Sequence, residues 1–395
     1  MVRARVKREL IAWAVERSRI PFEDLLSRFP ALTKWERGDA DPTLKQLEEF
    51  AQATHTPLGF FFLQTPPAEP IPIPDFRTIH DVVISRPSPD LLDTVYQCQQ
   101  RQDWYRQYGQ MNLAGPVPLV GSLSHDVSIT EAAARMRTAL SFDIAQRGAN
   151  WSEALRILRE MAESQGVLVM VNGIVGNNTH RKLDPQEFRG FALVDDWAPL
   201  VFVNGADTKA AQIFTLAHEL AHIWLGESAL SDADLTINPT HAMERFCNQV
   251  AAEFLVPLEV LRRMRVDDAL RIGELERLAR TFKVSTLVVL RRLYDSGALT
   301  FDRYRQAYAD ERKRVLAMME QHSDSEGGNF YYMLPVRVSR RFARALIAST
   351  LEGQTLHRDA LQMLGFSKIS TFHELAHRLG VEGRSKYRPH ASRLE

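Results

Sequence analysis

In the run Phe214-Thr215-Leu216-Ala217-His218-Glu219-Leu220-Ala221-His222-Ile223-Trp224-Leu225, two histidines stand four residues apart, and a glutamate follows the first. On a helix, residues four apart share a face, so both imidazoles can reach one metal ion. Glu219 lies about 100° further round the helix, where it can take a proton from a water at the metal's open position. At that angular step Thr215, His218, Glu219 and His222 occupy one narrow sector. Phe214, Leu216, Leu220, Ile223, Trp224 and Leu225 cover the rest. A helix that is apolar nearly all round is buried. Buried imidazoles beside a carboxylate are costly unless something satisfies them, and a metal ion does so.

The His-Glu-x-x-His pattern recurs at His373-Glu374-Leu375-Ala376-His377. There Phe372, Leu375, Ala376 and Leu379 form one apolar stripe, Glu374 and Arg378 face the other way, and the two histidines fall at the edge of the polar face. That copy reads as an ordinary amphipathic helix. A catalytic zinc takes three protein ligands and leaves one place for water. After the first copy, the segment 241–257 (HAMERFCNQVAAEFLVP) supplies two candidates for the third ligand, Glu244 and Glu253. After the second copy only Glu382 and Glu395 remain, with no helix to carry them.

The pair FTLAHELAHIWLG and MERFCNQVAAEFLVP resembles the ImmA/IrrE metallopeptidases, whose active-site layout is similar to that of thermolysin-like zincins. The resemblance extends upstream through GVLVMVNG (166–173), RGFALVDDWAPLVFVNG (189–205) and KAAQIFTLAHE, and covers about half the chain. It implies a small sheet leading into the active-site helix. It implies Glu244 as third ligand, Glu219 as general base, and Asn248, on the same face as Glu244, orienting the ligands from outside the coordination sphere. Glu253 becomes a helix-surface residue. The ion implied is zinc, with another divalent ion such as Mn2+ as the alternative. The implied substrate is a partner protein, a helix-turn-helix transcriptional repressor. The oxyanion donor stays open among His180, His241, Arg245 and the tail tyrosines Tyr331 and Tyr332.

The 395 residues carry 49 basic and 49 acidic side chains, so no global field draws the chain to nucleic acid or an anionic membrane. Hydrophobic content of 45% and charged content of 25% are those of a globular protein. Two or three domains are expected at this length. Cys98 and Cys247 are too few for a disulfide framework and read as reduced core thiols, with Cys247 disfavoured as a metal ligand. No run approaches the ~18 apolar residues of a membrane span, so a cytoplasmic protein is expected.

The expected fold is α+β and mostly helical: a zincin-like core over 120–300, an N-terminal helical domain over 1–64, a linking region over 65–119, and a C-terminal α/β tail over 301–395. The stretch LTKWERGDADPTLKQLEEFAQATHTPLGFFFL resembles a Cro/repressor-type helix-turn-helix, with the turn and recognition helix shortened. Residues 1–64 carry ten basic and nine acidic side chains, a near balance that weakens a DNA-binding reading against one of packing or protein recognition. TPPAEPIPIPDFR (65–77) is a proline-rich, extended link, read as a semi-rigid strap or as a segment lying across the cleft and restraining it. The polar stretch 232–240 connects the two metal-binding helices and could gate substrate. Residues 272–295 form a second helix-turn-helix pattern, read as scaffold before DNA contact.

From about 327 the chain reads as a strand with aromatic residues, then a basic amphipathic helix and two shorter helices. Tyr331 and Tyr332 read as core. From 331 onward there are eleven Lys/Arg against five Asp/Glu, and Arg337, Arg340, Arg341 and Arg344 cluster. A solvated face is the plain reading of that cluster; an acidic or nucleic-acid partner is the alternative. The tail resembles that of longer family members found beside PIN-type ribonuclease toxins. This implies a second role, an antitoxin-like binding protein partnered with such a toxin, with a structural or vestigial metal site; a DNA-binding repressor is a third.

Overall fold

The computed structural model describes residues 3–75, 86–112, 115–231, 241–265, 270–321 and 330–381. The chain divides into two compact units, Met1–Pro72 with Ile79–Tyr96, and Ile73–Thr78 with Gln97–Glu395.

In the first unit lie α1 (Arg8–Ser18), α2 (Phe22–Arg28), α3 (Leu32–Arg37) and α4 (Leu44–Ala53), followed by a 3-10 turn at Leu58–Phe62. Thr43 starts α4 with a reciprocal cap: its hydroxyl accepts from the Gln46 N–H, and its own N–H donates to Gln46 Oε1. Leu10, Trp13, Leu32, Trp35, Leu47 and Phe50 share the unit's own core. Arg17 donates to both carboxylate oxygens of Glu69, at 2.5 and 2.8 Å, and to His55 O. The start of the proline-rich link is thereby pinned to this unit.

The long helix α5 (Pro89–Asn112) runs from one unit into the other. The second unit continues with α6 (Ile129–Leu140), α7 (Trp151–Ser164), β1 (Leu168–Asn172), β2 (Gly190–Leu193) and β3 (Leu200–Asn204). Then come α8 (Lys209–Leu225), β4 (Ala229–Ser231), α9 (Ala242–Leu255), α10 (Leu258–Arg263), α11 (Ile272–Phe282), α12 (Thr286–Asp295) and α13 (Phe301–Gln321). The sheet order is β1-β3-β2-β4, with β1 parallel to β3 and the other pairs antiparallel. Every residue of the four strands is buried. Such strands read as continuous apolar runs rather than alternation.

Helix α8 is buried from Gln212 to Leu225 and shares one core with α6, α7, α9, α11 and α12. Thr208 caps its start by accepting from the Ala211 N–H, and Gly226, at φ +77°, ends it. The C-terminal carbonyls of α9, which an isolated helix leaves without partners, are collected by three arginines. Arg137 bonds Glu253 O, Arg147 bonds Phe254 O and Leu255 O, and Arg292 bonds Val256 O. Arg147 also reaches Phe282 O, the end of α11. These bonds fix α9 in place. The Lys283-Val284-Ser285 turn joins α11 to α12, and both helices bury their apolar faces in the core that holds α8.

The tail corrects one expectation. Residues 330–337 form a helix, α14 (Phe330–Arg337), followed by α15 (Arg340–Leu351), α16 (His357–Leu364) and α17 (Ile369–Arg378). The described tail contains no strand. Aromatic residues favour strands only where a pleated surface receives them. Here Leu334 and Val338, four apart, are both buried, so the 3.6-residue period prevails. Nor are both tyrosines core: Tyr332 is 72% exposed, and the Arg378 guanidinium lies over both rings.

The arginine cluster is used largely within the chain. Arg337 donates to Asn177, Arg341 to Tyr105 OH and Glu163 O, and Arg344 to Leu379 O. Among the described residues no helix is long and apolar enough to cross a membrane.

Candidate metal centre

Helices α8 and α9 bring three ligand side chains to one point. His218 Nε2 and His222 Nε2 lie 3.1 Å apart. Glu244 Oε2 is 3.3 Å from His218 Nε2, and Glu244 Oε1 is 3.1 Å from His222 Nε2. The ligand atoms of a tetrahedral zinc with bonds of about 2.0–2.1 Å stand about 3.3–3.4 Å apart. The three side chains approach that spacing, with Glu244 offering one oxygen to each imidazole, and one ligand atom from each lies within 4.8 Å of the others. Both imidazoles are fully buried, and Glu244 is 3% exposed. Each Nδ1 lacks a hydrogen-bond partner. Among the described residues this is the one group of three or more ligating side chains close enough to share an ion.

The electrostatics are those of a site arranged for a cation. Burial pushes the Glu244 carboxyl up, but His218 and His222 outweigh it and hold it well below the usual carboxylate range. Burial alone would lower His218; Glu244 reverses that, with smaller help from Glu219 and Asn248, and raises it. His222 ends lowered, because burial exceeds the pull of Glu244 and His218 repels a second proton. The opposite directions describe one proton competing for two imidazoles over one carboxylate. Asn248 favours the charged form of His218, yet its Oδ1 falls short of hydrogen-bond geometry with any partner.

Glu219 is fully buried beside this triad. Ser231 Oγ donates to its Oε1 at 2.6 Å, and its Oε2 has no partner. Burial lifts its pKa to about 8, against the opposing influence of His218 and Ser231. Ser231 closes β4, a strand of three residues between α8 and α9. Sequence patterning offered no signal for it, since so short a segment shows no period.

Gly190 was also missed. A Cβ at Gly190 would stand 2.6 Å from Thr215 Cγ2, 2.8 Å from Phe202 O and 3.1 Å from Glu219 Oε1. Only glycine lets β2 pass this close to α8. Gly190→Ala is expected to cost about 1–3 kcal/mol by overpacking and to displace Glu219. A denaturant melt measures the first effect. A midpoint within error of wild type would show that the sheet yields without strain.

Glu253 corrects a second expectation. It is 5% exposed rather than on a helix surface, and it pairs with Arg292 while accepting from the Leu258 N–H. It lies on the face of α9 turned toward α12, away from the histidines. Cys247 is fully buried and outside the ligand group; burial first, then nearby carboxylates, push its thiol pKa well up. Cys98 is likewise a core thiol, raised to about 12 by burial. His373 and His377 are exposed on α17 and belong to no ligand cluster among the described residues. His180, His241 and Arg245 are exposed, and the tail tyrosines lie against Arg378. The gating stretch 232–240 lies outside the described residues.

The free edge of β4 carries the proline-rich link. Leu230 N–H donates to Pro74 O at 2.9 Å, and Asp75 pairs with Leu230 in parallel. Ile73, just before, is 8% exposed. The link therefore adds a short extended segment to the strand whose last residue holds Glu219.

A small mixed sheet, a buried His-Glu-x-x-His helix and a glutamate from the next helix make a site of metallopeptidase type. Residues 162–294 match the family described as the IrrE N-terminal-like domain, Peptidase_M78, and that span contains His218, Glu219, His222 and Glu244. Residues 338–378 match a domain of unknown function, DUF8813. No curated protein matches the chain. The family match implies a metallopeptidase-type regulatory protein and a metal, typically zinc.

Proposed function

We propose that the chain is a zinc-dependent regulatory endopeptidase that cuts a partner protein, a helix-turn-helix transcriptional repressor. The observation that carries this reading is the convergence of His218, His222 and Glu244 with Glu219 beside them, all buried within one core. A divalent ion held by these three ligands supplies Lewis acidity to a water and to the scissile carbonyl. Glu244 stays ionised and neutralises much of the ion's charge. Asn248 favours the charged form of His218. Glu219 Oε2 accepts the proton of the attacking water and returns it to the leaving amine, while Ser231 holds Oε1 and so fixes which oxygen acts. With an ion held there, Glu219 would stay ionised as a base against the effect of burial.

The buried site and the occupied β4 edge suit conditional activity. An extended substrate can add to a sheet edge through main-chain hydrogen bonds. Here Pro74 and Asp75 already take that position, so substrate must displace them. Ile73→Asp is expected to loosen the strap and raise the cleavage rate. Because burying an Ile contributes about 1.5–3 kcal/mol, the ceiling is roughly 10- to 100-fold. An unchanged rate at equal metal content would show that the edge contact does not limit access.

The reading is tested by co-expression with candidate repressors, comparing wild type with Glu219→Gln and identifying fragments by mass spectrometry. A repressor cut only by the wild type is the expected result. Repressors left intact by both proteins, together with binding or neutralisation of a toxin by both, would favour the antitoxin-like role.

A further inference from the structure

A second site lies away from the metal centre, where the segment Val175–Arg181 faces the C-terminal helices. A cavity of about 510 Å³ is lined by Gln97, Gln100, Arg101, Asn177, Arg181 and Gln362. That volume is in the range of small-molecule sites. No acidic side chain lines it among the described residues.

Arg101 is its centre. It is 7% exposed, donates Nε to Met363 O at 3.0 Å, and rests Nη1 3.8 Å from Met170 Sδ. It forms no ion pair among the described residues, and its Nη2 has no acceptor there. Elsewhere in the fold, buried arginines are more fully met: Arg17 has Glu69, Arg292 has Glu253, and Arg147 has three helix-end carbonyls, whereas Arg101 has only Met363 O. A buried guanidinium without a counter-charge is costly, and an oxyanion in the cavity removes that cost with charge-assisted bonds. The amides of Gln97, Gln100 and Gln362 make no hydrogen bond among the described residues, so they are available to the rest of a polar ligand.

The cavity joins two parts of the chain. Val175–Arg181 belongs to the peptidase-like span 162–294, and Gln362–Gly365 to the domain of unknown function at 338–378. Asn177 already ties them, donating to Leu364 O and Gly365 O at 3.1 and 2.9 Å. We infer that this cavity binds a small oxyanion-bearing metabolite, its phosphate or carboxylate on Arg101 and its polar body against the three glutamines. Binding clamps the C-terminal helices to the peptidase-like core. The inference does not depend on the metal centre being catalytic.

The test is calorimetric titration of the full chain with inorganic phosphate, adenosine monophosphate and citrate in separate runs. At least one probe is expected to bind at one per chain with a Kd below ~1 mM and to raise the melting temperature. The phosphate and citrate arms distinguish the two oxyanion sources. Arg101→Gln should lose the binding. Gln362→Glu, on an exposed position that leaves folding intact, should weaken it at least tenfold by placing an anion in the cavity. Metal-stripped Glu219→Gln protein should bind as the wild type does. Failure of all three probes, or equal binding by Gln362→Glu and wild type, overturns the inference.

Discussion

Glu219→Gln should abolish cleavage and yet make the metal-free protein more resistant to heat near pH 8. Removing a general base costs about 10²–10⁴ in rate, while glutamine keeps the Oε1 acceptor that Ser231 uses. The stability effect follows from the raised pKa of Glu219, about 8 in the folded protein against 4.5 for the free side chain. Between those values the folded chain holds a proton that the unfolded chain has released. The unfolded state then binds fewer protons, so the stability of the metal-free wild type falls as pH rises through that window, by an amount on the order of a few kcal/mol. Glutamine cannot ionise and escapes the loss. Melting temperatures of the two metal-free proteins should coincide near pH 4.5 and separate by several degrees at pH 8, the variant being higher. Coincidence at both pH values would mean that Glu219 is not the strained acid that its burial implies.

Glu244→Ala should remove metal binding and the stabilisation that goes with it. Losing even a residue that only orients a metal ligand lowers affinity about 10–100-fold, and Glu244 is a direct ligand candidate, so a loss of at least a hundredfold is expected. Zinc titration followed by thermal shift reads this, because a ligand that binds only the folded state stabilises it in proportion to the logarithm of its concentration over Kd. The wild-type shift should also depend on pH in a stated direction. Zinc requires neutral imidazoles. His222 is already lowered by burial, but His218 is raised by Glu244 and gives up its proton less readily than a free imidazole. The zinc-dependent shift should therefore be large at pH 7.5 and shrink toward pH 5.5. A full shift in Glu244→Ala would move the metal elsewhere in the chain.

The centre of the site was legible in the sequence because it obeys a local rule. His218, Glu219 and His222 sit on one turn of one helix, and the apolar residues around them announce burial. Glu244 needed the resemblance, since Glu253 lies on the same helix and no local pattern separates them. The structure shows the physical difference: Glu253 faces a buried arginine on α12, a pairing between residues 39 apart. Ser231, Gly190 and the Pro74 contact were invisible for the same reason. Each acts through a tertiary approach between strands and helices that no period in the sequence encodes. The tail failed in the opposite way, where a run of aromatic residues suggested a strand and an i, i+4 pair of buried aliphatics set a helix.

The most direct measurement is zinc-edge X-ray absorption on the purified, zinc-loaded chain, repeated on Glu244→Ala. The expected wild-type result is one zinc per chain, coordinated by nitrogen and oxygen at about 2.0–2.1 Å, with imidazole scattering from two histidines and none of it retained in the variant. A sulfur ligand at about 2.3 Å, or an unchanged spectrum in the variant, would contradict a centre built from His218, His222 and Glu244.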